Sequence, residues 1–332
     1  MAHAMDLFSP AALEDPYHLY GRLRRDSPVF ELPGTGMHLV TRHRDVLEVV
    51  GRPEDFSSNL TALLYTGGSG SATLVESSPG ENAAVDVLAT ADPPAHTAHR
   101  RMVSRTFSTG AVAALEPALY DLVAGRVDDA LPAGRIEWMG TVAGPIPILV
   151  VSCLLGLPED DVVRLQQWSE AGIELLSGVA TPARMVEHLQ DRLRGEPGLV
   201  PAFVEEVLRL ESPFRGHFRV TTRDSELAGV DLAAGTRLML VWGAANRDPD
   251  AFDRPDEVWL ERPNPKAHVG FGWGIHHCVG APLARLEARV AIETLLARTR
   301  SFALAPDAAP PHHLASLFVR RLASLDLTLD AA

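Results

Sequence analysis

The segment Phe271-Gly272-Trp273-Gly274-Ile275-His276-His277-Cys278-Val279-Gly280 carries one of only two cysteines in the chain, the other being Cys153. Glycines precede and follow Cys278, and glycine permits turns and close backbone approaches that a side chain would block. Beyond it, Leu283, Leu286, Val290 and Leu295 recur at helical spacing, which predicts a long helix from about Cys278 to Arg298. A cysteine at a helix start faces outward-pointing N–H dipoles, and these favour the thiolate. A thiolate on a glycine-rich loop can meet a flat iron macrocycle face-on, where it pushes electron density onto the iron and favours O–O cleavage. Two blander chemistries compete for the same residues. One is a buried structural cysteine, the expected state of Cys153. The other is a zinc site built from His276, His277 and Cys278, which is disfavoured because adjacent residues rarely converge on one metal.

Two further clusters place charge at helical spacing. Glu206 and Arg209, at i and i+3, share a helix face, as do His96 and Arg100 at i and i+4. Taken singly, each is an ordinary solvated or salt-bridged helix face. They gain meaning from the cysteine loop, which fits the haem-binding loop of cytochrome P450s, Phe-Gly-x-Gly-x-His-x-Cys-x-Gly, at every fixed position. The chain resembles the bacterial, ferredoxin-dependent type of that family. The resemblance implies haem b with Cys278 as axial ligand, Phe271 and Gly272 shaping the loop, and Gly280 tuning the sulfur. Glu206-Val207-Leu208-Arg209 resembles the family's Glu-x-x-Arg pair. With Arg262 it implies a buried, structural charge network. His96, Arg100, Arg219 and His276 match, in family order, the residues that hold the two haem propionates, and carboxylates require such donors. His99 and His277 match nothing and are expected on the surface or in packing. Asp15-Pro16-Tyr17, Ala245-Asn246-Arg247-Asp248 and Phe318-Val319-Arg320 extend the likeness over nearly the whole chain.

The elements that must position these groups can be read from periodicity and punctuation. Val29 to Leu32 and Met37 to Thr41 flank a Pro-Gly-Thr-Gly turn and predict a β-hairpin. Asp45 marks an early helix residue, and Ser57 to Pro94 is loop-rich. Helical spacing runs from Thr97 to about Leu131, from Pro158 to Leu176, from about Ala183 to Arg194, and from Pro201 to Leu210. Strands are predicted at Arg219 to Thr222 and Thr236 to Trp242, an irregular stretch at Asn246 to Asn264, and a hairpin over Ser316 to Leu329. Helices dominate and the sheets are small and segregated, so the class is α+β, mainly α. The 332 residues are 46% hydrophobic, enough for a sizeable core, and are expected to form one haem domain over 1–332. A net charge of -13 argues against nucleic acid and anionic membranes as partners. Two cysteines fit a reducing, cytoplasmic setting, and Met1 to Pro10 lacks the pattern of a signal peptide.

The chain departs from the family in one region. Cytochrome P450s carry an Ala-Gly-x-Asp/Glu-Thr-Thr patch on a long helix over the distal haem face, and its acid and alcohol relay protons to oxygen. No such patch occurs here, so no catalytic residue is assigned. Between Trp168 and Glu206 there is room for one helix of about 18 Å at ~1.5 Å per residue. Both flanks resemble family sequence, which implies a missing segment near Asp191. Either the natural chain lacks these roof helices or the molecule holds residues absent from this sequence. A missing roof would expose a large apolar face, which is unusual in a soluble monomer.

The resemblance implies a monooxygenase that inserts one oxygen atom from O2 into a hydrophobic small molecule. Electrons would come from a ferredoxin and an NAD(P)H-dependent ferredoxin reductase, with Arg100, Arg101 and Arg105 as a docking patch or plain helix surface. Substrate contacts are expected from Leu63 to Thr73, Phe214 to Phe218, and Leu317-Phe318, with His217 reading better as a core or propionate-side histidine. The rival readings are a haem-thiolate protein that does not activate O2 (peroxide-using, gas-sensing or a haem scaffold) and a haem-free protein with a dead motif.

Overall fold

The computed structural model describes residues 7–59, 62–66, 72–76, 87–157, 183–316 and 318–332. The helix predicted over Pro158 to Leu176 lies outside them. The chain divides into two units, each drawn from three stretches of sequence.

The first unit comprises Met1–Val103, Phe214–Asp256 and His268–Cys278. It holds helices α1 (Pro10–Glu14) and α2 (Tyr17–Asp26) and a small hairpin of β8 (Ser225–Leu227) and β9 (Val230–Leu232), and its main sheet begins with the predicted hairpin. Strands β1 (Val29–Leu32) and β2 (Met37–Val40) pair antiparallel, Val29 opposite Val40 and Leu32 opposite Met37. Strand β3 (Phe56–Ser57) lies at the other edge of the same sheet. Two distant strands complete it: β7 (His217–Thr221) pairs with β3, and β10 (Arg237–Leu240) bridges β7 and β2. The alternation of these strands buries Val40, Leu238 and Leu240 against Val46, Val49 and Val50 of helix α3 (His43–Gly51). That helix has no side-chain cap of its own. Instead the His43 N–H donates to Asp248 Oδ2 at 2.9 Å. Helix α4 (Ala95–Ser104) carries His96 and Arg100. The stretch expected to be loop from Ser57 contains a small hairpin, β4 (Ala62–Thr66) with β5 (Ala72–Glu76).

The second unit comprises Ser104–Pro213, Glu257–Ala267 and Val279–Ala332. Its core is helical. Helices α5 (Thr109–Ala113) and α6 (Glu116–Ala130) replace part of the single run predicted after Thr97. Ser108 caps α5 through its side chain, and Pro117 sits in the first turn of α6, so two starts interrupt what periodicity alone read as continuous. Helix α7 (Pro145–Leu155) takes up the most apolar stretch of the chain. Helix α8 (Ala183–Gly195) and helix α9 (Val200–Glu211) fall where predicted. A single-turn helix of the first unit, α10 (Trp242–Ala245), takes the last residue expected in a strand. Helix α11 (Ala281–Arg298) packs on α6 and α9. The predicted C-terminal hairpin is not formed. Among the described residues of that stretch the strand is β12 (Asp326–Ala331), and it pairs with β11 (Thr299–Leu304) and β6 (Arg135–Glu137). Alternation signalled a strand face correctly but carried no information about its partner, which tertiary pairing supplied.

Candidate functional site

The cysteine loop is built by main-chain hydrogen bonds within the first unit. The Gly272 N–H donates to Val269 O at 2.8 Å, the His277 N–H to Gly274 O at 3.1 Å, and the Cys278 N–H to Phe271 O at 2.8 Å. Two of its glycines are required. Gly272 and Gly274 hold φ of 69° and 68°, a left-handed backbone that costs any side chain. A Cβ on Gly274 would also stand 2.9 Å from the carbonyl oxygen of Val50. The loop is thereby pinned to helix α3, and Cys278 is presented exposed at its end. The helix predicted to begin at Cys278 starts at Ala281 instead. Gly280 is its N-cap residue, with φ -82° and ψ 0°. Val279 and Gly280 form a turn, so the thiol stands just ahead of the helix rather than within its first turn.

Around this loop the first unit gathers the expected basic residues. The His96 ring, buried on α4, lies 4.2 Å from the His276 ring, centroid to centroid. Arg100, one turn further along α4, donates through Nη1 to the His277 carbonyl. Arg219, buried on β7, donates to Phe218 O at 2.6 Å and to His217 Nδ1 at 3.3 Å. Phe271 is half-buried, its ring 6.3 Å from His268.

Burial tunes these groups in one direction. His276 is pushed down to about 3, first by burial and then by the Arg219, His96 and His217 charges. Burial and Arg219 take His217 down to about 4, and burial and Arg100 lower His96. All three imidazoles are therefore neutral near pH 7, each with one N–H to donate. Burial brings Arg219 down to about 10, which leaves it cationic. The result is a cluster of neutral donors around buried positive charge.

Sequence reasoning missed two members of this cluster. Trp242 follows β10, and its ring stacks on His217 at 5.9 Å. No motif marks it; its one signal was an aromatic residue immediately after a core strand. The His277 carbonyl, rather than its ring, is what Arg100 engages. The segments expected to touch substrate divide differently. Phe214 and Phe218 are half-buried and pack against the two apolar cores of the unit. Leu317 lies outside the described residues, as do several positions between Leu63 and Thr73.

The second unit holds the charge network. Glu206 Oε1 accepts from Arg209 Nε at 2.9 Å and Arg262 Nε at 2.8 Å. Its Oε2 accepts from Arg209 Nη2, Arg262 Nη2 and the Trp259 N–H at 3.0, 3.2 and 2.9 Å. The three side chains are 0–1% exposed. Burial alone would raise the Glu206 carboxyl, but the guanidinium hydrogen bonds outweigh it and hold the group below the usual range. Arg209 also donates to Glu257 O at 3.0 Å, which ties α9 to the irregular 257–267 stretch. Arg285 of α11 grips Glu205 beside it at 2.7 and 3.1 Å.

Known proteins match this arrangement. The cytochrome P450 family model matches residues 187–322. Cytochrome P450 144 of Mycobacterium tuberculosis is 34% identical, over 98% of this chain and 92% of that protein. The chain belongs to the cytochrome P450 family. The monooxygenase PikC of Streptomyces venezuelae is 28% identical, over 87% of this chain and 85% of its own. The substrate-free structure of the P450 CYP150A6 from Mycobacterium marinum superposes with a TM-score of 0.82 at 27% identity, covering 99% of each chain. The alignment to P450 144 runs over 402 positions, more than the 332 residues present here, so part of that protein has no counterpart in this chain.

As a P450, this chain is a monooxygenase, an oxidoreductase whose cofactor is haem b. The first unit fits that group by an independent criterion. Buried polar atoms ordinarily find partners. Here His96 Nε2, both ring nitrogens of His276 and Trp242 Nε1 are buried with no hydrogen-bond partner among the described residues. The buried Arg219 likewise has no carboxylate in an ion pair among the described residues. Unsatisfied donors and an unbalanced cation next to a cysteine loop are what the carboxylate edge of a porphyrin would satisfy.

Proposed function

We propose that this P450 inserts one oxygen atom from O2 into a hydrophobic small molecule, with electrons delivered by a ferredoxin and its NAD(P)H-dependent reductase. The observation that carries this reading is the set of buried ring nitrogens of His96, His276 and Trp242 with no partner among the described residues, grouped with the buried Arg219 beside the glycine-pinned Cys278 loop. Haem supplies the oxygen chemistry when bound. The chain's own residues do the rest. Cys278 offers the thiolate ligand, and the Phe271–Cys278 main-chain hydrogen bond fixes where the sulfur is presented. Gly272 and Gly274 allow the loop to hold that shape. Arg219, Arg100, His96 and His276 hold the propionates, the arginines by charge and the neutral imidazoles by N–H donation. Glu206, Arg209 and Arg262 act structurally, locking α9 to the stretch before the cysteine loop. On α4, Arg101 and Met102 are exposed and offer a docking face for the electron donor.

The chain reads as one haem domain over 1–332 from which a segment near 191 is missing, and the longer alignment to the M. tuberculosis relative supports this. Neither cysteine forms a disulfide, which supports a cytoplasmic setting. No described helix is long and apolar enough to cross a membrane.

The test is a reduced carbon monoxide difference spectrum followed by turnover. Wild-type protein should give the red-shifted band of thiolate-bound haem, and C278A should lose it. Product formed with O2, NADPH, ferredoxin and reductase, matched to reductant consumed, establishes the monooxygenase. One observation favours a second reading. The Ala-Gly-x-Asp/Glu-Thr-Thr patch is absent from the 332 residues. Without its proton relay the protein would use peroxide or serve as a haem scaffold. Product with peroxide but none with O2 and redox partners would select that reading.

A further inference from the structure

Trp242 opens the single-turn helix α10 immediately after strand β10, and its side chain is buried. Its ring borders two groups. One face stacks on His217, with ring planes 30° apart. The edge formed by Cζ2 and Cη2 lies 3.5 Å from where a Gly272 Cβ would stand. That edge is contiguous with Nε1, so the indole N–H borders the turn that opens the cysteine loop. Nε1 itself has no acceptor among the described residues. A buried N–H left without a partner is unfavourable and rare.

The surroundings identify what kind of acceptor is missing. His217 Nδ1 is already taken, accepting from the Phe218 N–H at 3.0 Å and from Arg219. Arg219 is 6% exposed and, among the described residues, is hydrogen-bonded to His217 and Phe218 O. The one carboxylate that acts on its charge is Asp92, which is occupied by the Ser57 hydroxyl and the Ser58 N–H. A buried donor, a buried cation in no ion pair among the described residues, and the unpartnered ring nitrogens of His96 and His276 all lack the same thing, an anionic oxygen acceptor.

We propose that Trp242 is a further cofactor-binding residue, whose Nε1–H donates to a carboxylate of the bound haem while its ring braces the Gly272 turn. The inference rests on the Cys278 loop being the haem site. It separates two roles that sequence motifs do not distinguish, packing under the loop and direct anchoring of the porphyrin.

The experiment compares wild-type, W242F and W242L holoprotein in haem transfer to excess apomyoglobin. It is run with haem and with haem dimethyl ester, alongside resonance Raman of the propionate bending bands. W242F keeps a ring against Gly272 and removes the N–H. Loss of a hydrogen bond to a charged group predicts about tenfold faster haem loss from W242F. The gap should largely close with the dimethyl ester, and the propionate bands should shift. W242L should lose haem faster still, because the brace goes as well. Unchanged haem loss and unchanged propionate bands in W242F would overturn the inference, even if W242L is impaired, since the ring would then only pack. If W242F fails to fold, the wild-type protein decides. Its indole N–H Raman marker should move to the hydrogen-bonded form on uptake of haem and less with the ester, and no movement overturns the proposal. A wild-type protein that takes up no haem overturns the Cys278 reading itself, an outcome visible before any variant is made.

Discussion

At the scale of single residues, charge and its neutralisation separate the two units. In the second unit Glu206 is fully buried with both guanidiniums in place. Removing one partner leaves a charge unpaired in the interior, so R262A should destabilise the protein by about 3–5 kcal/mol. Urea unfolding of the cofactor-free protein measures this, and a change under about 1 kcal/mol would mean the network is dispensable. Glu287, on α11, is the opposite case. It faces a small apolar cavity of about 60 Å³ with Trp138, Ile146 and Ala288, and Oε1 has no partner among the described residues. Burial pushes its carboxyl up to about 8. The folded state thus keeps a proton that the unfolded chain releases near the ordinary value of 4.5. Between those two values the folded state binds more protons, so stability is lost as pH rises through the window. E287Q should therefore be more stable than wild type at about pH 8, by on the order of 4 kcal/mol, and within about 1 kcal/mol of wild type near pH 5. Equal urea midpoints at both pH values would show that the carboxyl is hydrated after all.

At the scale of elements, the cysteine loop is held by what its glycines permit. Gly274 combines a left-handed backbone with 2.9 Å between a Cβ position and Val50 O. G274A should cost about 1–3 kcal/mol in the loop and weaken haem retention, with the helical content unchanged. Far-UV circular dichroism together with haem transfer separates the two effects. The helix that carries His96 and Arg100 was legible because i and i+4 spacing fixes a shared face. Its end was not, since Ser108 and Pro117 restart helices within an unbroken apolar rhythm. Strand β12 shows the same limit. Its alternation was visible, but its partners, β11 and β6, come from elsewhere in the chain.

At the scale of the molecule, the proposed distal segment has a direct measurement. The denatured mass of the protein as isolated from its natural source should exceed that of the 332 residues if a roof segment belongs to it. A mass equal to the sequence, with haem retained, would select the reading without oxygen activation. Electron supply is tested at the exposed face of α4. R101E should reduce turnover driven by ferredoxin several-fold while leaving the carbon monoxide spectrum intact, and the deficit should shrink at high salt as screening removes steering. Equal turnover would remove Arg101 from the docking face.

What the sequence determined by itself was local. The ten-residue cysteine loop and the Glu206–Arg209 spacing are contiguous patterns, and contiguous residues constrain one another through backbone geometry alone. They were enough to indicate the family and the cofactor. What only the tertiary structure decided was which distant groups share a space. The pairing of His96 with His276, the stacking of Trp242 on His217 and the closure of Arg262 onto Glu206 join residues far apart in the chain. Trp242 shows the reason. Nothing beside it in sequence marks it, and its buried, unanswered N–H exists only because β10 and the cysteine loop fold against each other.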